Sequence, residues 1–179
     1  MFDRILDPTG LSVRPAGAAS DARRLPSLAG ARVGLLDNTK QNAALLLAEI
    51  GELMASRYGA VVTIRRTKEM FALPVDEPLL SEMKAACDVV VVGVGDCGSC
   101  SASAVADGIT FEREGIPAAV ICSDAFAVTA RAMAEVHGDA DFDFLMTPHP
   151  VAVLNPEQVA VRAGELLDVV VARVSEEGR

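Results

Sequence analysis

The sequence has no tryptophan and one tyrosine, and aromatics make up only 4% of a chain that is nonetheless 51% hydrophobic. Its core must therefore be built from Val, Leu, Ile and Ala, the mixture that layered α/β folds favour. Collagen-like, coiled-coil and disordered compositions are excluded on the same grounds. No apolar run approaches the roughly 20 residues that a membrane-spanning helix requires. The opening Phe2-Asp3-Arg4 lacks the apolar stretch of a secretory leader, so a cytoplasmic protein is expected. Positive charge is also short: 16 Lys and Arg stand against 25 Asp and Glu, for a net charge of −9. That balance repels polyphosphate backbones and acidic bilayers, and neither nucleic acid nor membrane is expected as a partner. Cysteine is scarce as well. Cys87, Cys97, Cys100 and Cys122 are too few for a disulfide framework in 179 residues and read as buried thiols, reactive thiols or ligands.

What is present is a regular alternation. Residues 1–30 carry Pro8, Pro15 and Pro26 with Gly10, Gly17 and Gly30, and show no sustained apolar period; they read as an extended arm ahead of one α/β domain over 31–179. Strands are expected at Arg32–Leu36, Ala60–Arg65, Asp88–Gly93, Ala118–Cys122 and Asp143–Met146. Helices are expected near 43–57, 77–86, 99–114, 124–137 and 156–173, the first capped by Asp37 or Asn38. Parallel strands need right-handed crossovers, so five such units wind into a three-layer, flavodoxin-like or Rossmann-like parallel sheet of order 2-1-3-4-5.

In that fold every loop leaving a strand emerges at one edge, where ligands bind. These loops collect the polar and reactive residues: Asp37 to Asn42 after the first strand, Gly95 to Ser101 after the third, Cys122-Ser123-Asp124 after the fourth and Thr147-Pro148-His149-Pro150 after the fifth. The sharpest feature is Cys97-Gly98-Ser99-Cys100, a C-x-x-C where a buried strand turns into a helix. A helix N-terminus stabilises a thiolate, so Cys97 is a candidate nucleophile with Cys100 as resolving thiol. His149, framed by prolines, is a candidate acid or base. Lys40 stands among Asn38, Thr39 and Asn42, donors suited to a small anion. Asp37, Asp96, Ser99, Ser101, Ser123 and Thr147 complete the candidate substrate lining, with Cys122 beside it. His137, just before Gly138, reads as a complement to a helix C-terminus.

Three other readings attach to the same residues. Gly93-Val94-Gly95-Asp96-Cys97-Gly98 fits G-x-G-x-x-G and raises dinucleotide binding, although it lies in the third unit and places a carboxylate where pyrophosphate would approach. A zinc site would need Cys122 and His149 to join the C-x-x-C through tertiary proximity. The domain could also be a non-catalytic, thiol-sensing subunit. No cofactor or metal is assigned.

With Cys97-Gly98-Ser99-Cys100, Leu35 through Ala43, Gly108-Ile109-Thr110-Phe111-Glu112, Gly115-Ile116-Pro117 and Thr147-Pro148-His149-Pro150 in view, the chain resembles the UGSC family, named for selenocysteine-Gly-Ser-Cys. The resemblance implies a reactive chalcogen at the position held here by Cys97, because selenium would be a costly choice for packing alone. It supplies a site without a substrate. The arrangement also looks distantly like aspartate/glutamate racemases and arylmalonate decarboxylases, which have two domains.

These readings converge on a cysteine-dependent enzyme acting on a small anionic molecule, by reduction or carbon–heteroatom bond cleavage, as a homodimer or with a partner subunit. In the order 2-1-3-4-5 the first and third strands are neighbours. Lys40 and Asn38 should then face Cys97 across a cleft with Cys122 beside it, and His149, farther out on the fifth strand, should fold inward so that all three lie within roughly 10 Å of the Cys97 sulfur.

Overall fold

Val89-Val90-Val91-Val92 is the most apolar run in the chain, and burying both faces of such a strand requires a helical layer on each side. The computed structural model describes residues 22–177, and the first 21 residues of the expected arm lie outside that range. Five strands, β1 (Arg32–Asp37), β2 (Val61–Thr67), β3 (Val89–Gly95), β4 (Ala118–Ser123) and β5 (Leu145–Thr147), form one all-parallel sheet of order β2-β1-β3-β4-β5. Helices α1 (Ala43–Tyr58) and α5 (Pro156–Val174) cover one face. The other is covered by α2 (Glu77–Ala86), α3 (Gly98–Arg113) and α4 (Ala127–Val136). Side chains of β3 alternate between the layers, Val89 and Val91 toward α1 and α5, Val90 and Val92 toward the opposite side.

Local chemistry sets the helix starts. Asp76 accepts from Leu79 N at 2.9 Å to cap α2, and Asn155 with Gln158 closes a capping box on α5. Neither Asp37 nor Asn38 caps α1. The loop runs on to Asn42, which takes the cap position at φ 68°, while Asp37 closes its own turn by accepting from Thr39 N at 2.8 Å.

Several boundaries differ from the sequence expectation, β2 among them by ending at Thr67 instead of Arg65. β3 runs on to Gly95, which pairs with Cys122. The helix expected from Asp124 opens as a 3-10 turn at Asp124–Phe126 before α4 begins. β5 starts only at Leu145, because Phe142 and Phe144 turn into the core instead of joining the ladder. Residues 22–30 lie against the domain, with Leu28 fully buried and Leu25 bridged to Ser175. Among the described residues no helix is long and apolar enough to cross a membrane.

Candidate functional site

All five strands deliver their following loops to one edge, and α3 begins there with Cys97 at its cap. The Cys97 backbone is extended, and its sulfur accepts from Cys100 N at 3.3 Å, which is how an anion is held at a helix start. Cys97 and Cys100 are disulfide-bonded, with Cα atoms 5.2 Å apart, and Ser99 Oγ lies 3.7 Å from the Cys97 sulfur. Cys97 is half-buried whereas Cys100 is buried, so an incoming group meets Cys97 first.

The pair opens on a cavity of about 280 Å³ lined also by Thr39, Lys40, Gln41, Phe71 and Ala152. Among the described residues the Lys40 ammonium has no ion-pair partner. A cation left unpaired beside two sulfurs is a ready seat for an anion. Clefts of about 300 and 330 Å³ run along α5, but neither is lined by a cysteine or histidine, so the chemistry selects the smaller cavity.

Next to Cys97 the buried Asp96 carboxylate organises a polar network. Its Oδ2 accepts from Val151 N at 3.0 Å and Ala152 N at 2.9 Å, and its Oδ1 lies 2.9 Å from His149 Nδ1. Burial alone would raise this carboxyl, but the donors from Ala152, Ser123, Val151 and His149 outweigh it and hold Asp96 below its usual range. An ionised carboxylate only accepts, so His149 Nδ1 donates to Asp96 and the ring is held by that bond. Ser123 Oγ, 3.3 Å from Gly95 O and 3.2 Å from His149 Nδ1, completes the network. The ring meets Phe126 edge-on at 5.3 Å, and Asp124 Oδ1 accepts from His149 N at 3.1 Å.

The other sequence-predicted residues are engaged elsewhere. Asn38 is fully buried, its amide donating to Val94 O at 2.9 Å to tie β1 to β3. Asn42 donates to Val151 O and Leu154 O at 3.0 and 2.8 Å, which pins the loop carrying Ala152. Asp37 serves its own turn and accepts from Thr67 Oγ1, and buried Thr147 accepts from Arg162 at 2.8 Å. Ser101 and Cys122 are buried beneath Gly95, and burial pushes the Cys122 thiol up to about 12. Cys87 is likewise buried and pushed up to about 11. Among the described residues no group of three or more His, Cys, Asp or Glu is placed to hold a metal ion.

Sequence reasoning passed over Gln41, Phe71 and Ala152 as lining. It also passed over a buried ion pair beside the site, Lys68 Nζ to Asp107 Oδ2 at 2.6 Å, with Ser103 Oγ also 2.6 Å from the ammonium. The available signal was the spacing of Cys100, Ser103 and Asp107, which share one face of α3. The chain matches the model of the UGSC family over residues 4–176, nearly its whole length. No curated protein matches it.

Proposed function

The chain belongs to the UGSC family, and on that premise we propose that it is a cysteine-dependent enzyme acting on a small anionic molecule, with Cys97 as attacking sulfur and Cys100 as resolving thiol. The reading is carried by one observation: the cysteine pair at the start of α3 shares its cavity with Lys40, which has no ion-pair partner among the described residues. In the reduced enzyme the Cys97 thiolate attacks the heteroatom X of a substrate R–X–Y, and the X–Y bond breaks. Y leaves with the bonding pair and takes a proton, His149 in its protonated form being the acid that the Asp96 network orients. Cys100 thiolate then attacks the Cys97 sulfur, R–X departs with its pair and is protonated, and the disulfide retains the two-electron oxidation. When Y is a carbon next to a carbonyl or carboxyl group, which takes up the bonding pair as an enolate before protonation, the same sequence cleaves a carbon–heteroatom bond. A dithiol donor returns the pair to its reduced form by exchange, which fits a cytoplasmic setting.

Dinucleotide binding through Gly93, Gly95 and Gly98 has less support. A Cβ at Gly95 would lie 2.7 Å from both Cys122 Sγ and Ser101 Cα, so close helix–strand packing accounts for that glycine without a phosphate. Assembly as a homodimer or with a partner subunit is part of the proposal, supported by exposed Met146 on the edge strand β5 and by exposed Val169, which shares a cleft with Leu145.

The test is site-resolved alkylation of the native protein after reduction. Cys97 should react faster than Cys87 and Cys122 at pH 7, and mild oxidation should protect Cys97 and Cys100 together. Equal rates at all four cysteines would overturn the assignment.

A further inference from the structure

The segment from Lys68 to Val75 joins β2 to α2 and exposes Met70, Phe71 and Leu73, each more than two-fifths accessible. Three apolar side chains held out in water need restraint, and the restraint here is buried. Lys68 Nζ donates to Asp107 Oδ2 and to Ser103 Oγ, both at 2.6 Å. Asp107 Oδ1 accepts from Val75 N at 2.6 Å, and Ser103 Oγ donates to Leu73 O at 2.7 Å. The lysine and the aspartate are almost completely inaccessible. Taking such a pair out of water costs nearly what its attraction returns, so its main effect is to fix one conformation of whatever it holds. What it holds is the segment from Lys68 through Leu73 to Val75, on which Phe71 stands. Both anchors stand on the helix that begins at Cys97, so the ring and the sulfur pair are set by one rigid element.

The cavity lining is thus of two unlike kinds, the Lys40 ammonium with Thr39 and Gln41, and the Phe71 ring with Ala152. Deepening the reading of the cysteine pair as the reactive centre, we propose that the cavity takes an amphipathic monoanion. Its charged head lies on Lys40 and its flat apolar body on Phe71, a wall that the Lys68–Ser103–Asp107 strap holds in place. One cation at the cavity, without an ion-pair partner among the described residues, in a chain of net charge −9 favours one negative charge over two. An apolar body stacked on a fixed ring gains contact area without the entropy of ordering a loose loop.

Calorimetric titration with phenylacetate, acetate, phenylacetamide and benzylamine tests this, on the reduced wild type and on a Cys97→Ser/Cys100→Ser double variant. Phenylacetate should bind about tenfold tighter than acetate and than phenylacetamide, and benzylamine should bind weakest. Lys40→Gln should bring phenylacetate down to the affinity of phenylacetamide while leaving phenylacetamide unchanged. Phe71→Ala should remove the advantage of phenylacetate over acetate. Ser103→Ala, which loosens the strap without orphaning a buried charge, should narrow that same ratio in a protein with unchanged circular dichroism. Equal binding of acetate and phenylacetate, or benzylamine matching phenylacetate, overturns the ligand class, and a ratio unchanged in Ser103→Ala overturns the strap. The double variant has no sulfur pair, so selective binding there, together with a wild-type Cys97 no more reactive than Cys87, rejects the catalytic reading alone. Fast Cys97 with no ligand preference rejects the ligand class alone.

Discussion

Asp107 and Glu112 are two buried carboxylates on the same helix, yet the groups that meet them differ in kind. Glu112 accepts from Arg24 at 2.8 Å and from the backbone N–H groups of Ala22 and Ala118, and is ion-paired with Arg173 at 3.2 Å. Asp107 is met by one lysine and one backbone N–H from the segment it holds. The first gathers groups from opposite ends of the described chain, and the second holds the segment that brings Phe71 to the cavity of the sulfur pair. Burial raises both carboxyls, so burial alone does not distinguish a clasp from a site support. The identity of the partners does.

The sharpest way to break the comparison is Glu112→Ala, which leaves two arginines near the core without their acceptor. It should cost about 3–5 kcal/mol in urea unfolding. A loss under about 1 kcal/mol would show that the arginines are satisfied by solvent. Gly108→Ala strikes between the two carboxylates, since its Cβ would fall 2.2 Å from Val120 Cγ2 and 2.8 Å from Phe142 Cζ. About 1–3 kcal/mol should be lost from overpacking. A neutral result would mean that the α3–β4 contact yields readily.

Asp107 carries a pH signature. Burial lifts it to about 6, with Lys68 and the Val75 N–H offsetting part of the rise. Between an ordinary carboxylate value of about 4 and this raised value, the folded chain keeps a proton that the unfolded chain has released. The group's contribution is therefore whole below this window and falls as pH rises through it, by at most about 1.4 kcal/mol per pH unit. Subtracting Asp107→Asn stabilities from those of the wild type across pH 4–7 should reveal that slope, and a flat difference would refute the assignment. The smallest effect is expected at Gly98, where a Cβ meets nothing within 4 Å. Gly98→Ala should be neutral or stabilising by up to about 1 kcal/mol. A clear loss of stability there would mean that the first turn of α3 is more crowded than its geometry indicates.

Much of this architecture was legible because it is local. The Val89–Val92 run, the Gly-bearing loops and the Pro156 helix start announce themselves within a few residues, and the C-x-x-C at a strand-to-helix junction needs no partner to be noticed. The misplaced boundaries were those decided at a distance: Phe142 and Phe144 delay β5 because the core across α3 has room for them. Asn38 and Asn42 look like ligands in the sequence, but the structure uses their amides on carbonyls of Val94, Val151 and Leu154. Nothing in the sequence near Lys68 betrays that its counterion is Asp107, 39 positions away.

The Glu112 clasp also orders events in time. During synthesis Arg24 leaves the ribosome long before Glu112, from which 88 positions separate it, and Arg173 follows only with the last helix. Every residue lining the sulfur-bearing cavity has been made by Ala152. A nascent chain thus holds all the residues of that cavity while Glu112 still lacks its second arginine. Contacts of such long separation close late. The seal at the far end of α3 is the final lock on a workplace already furnished.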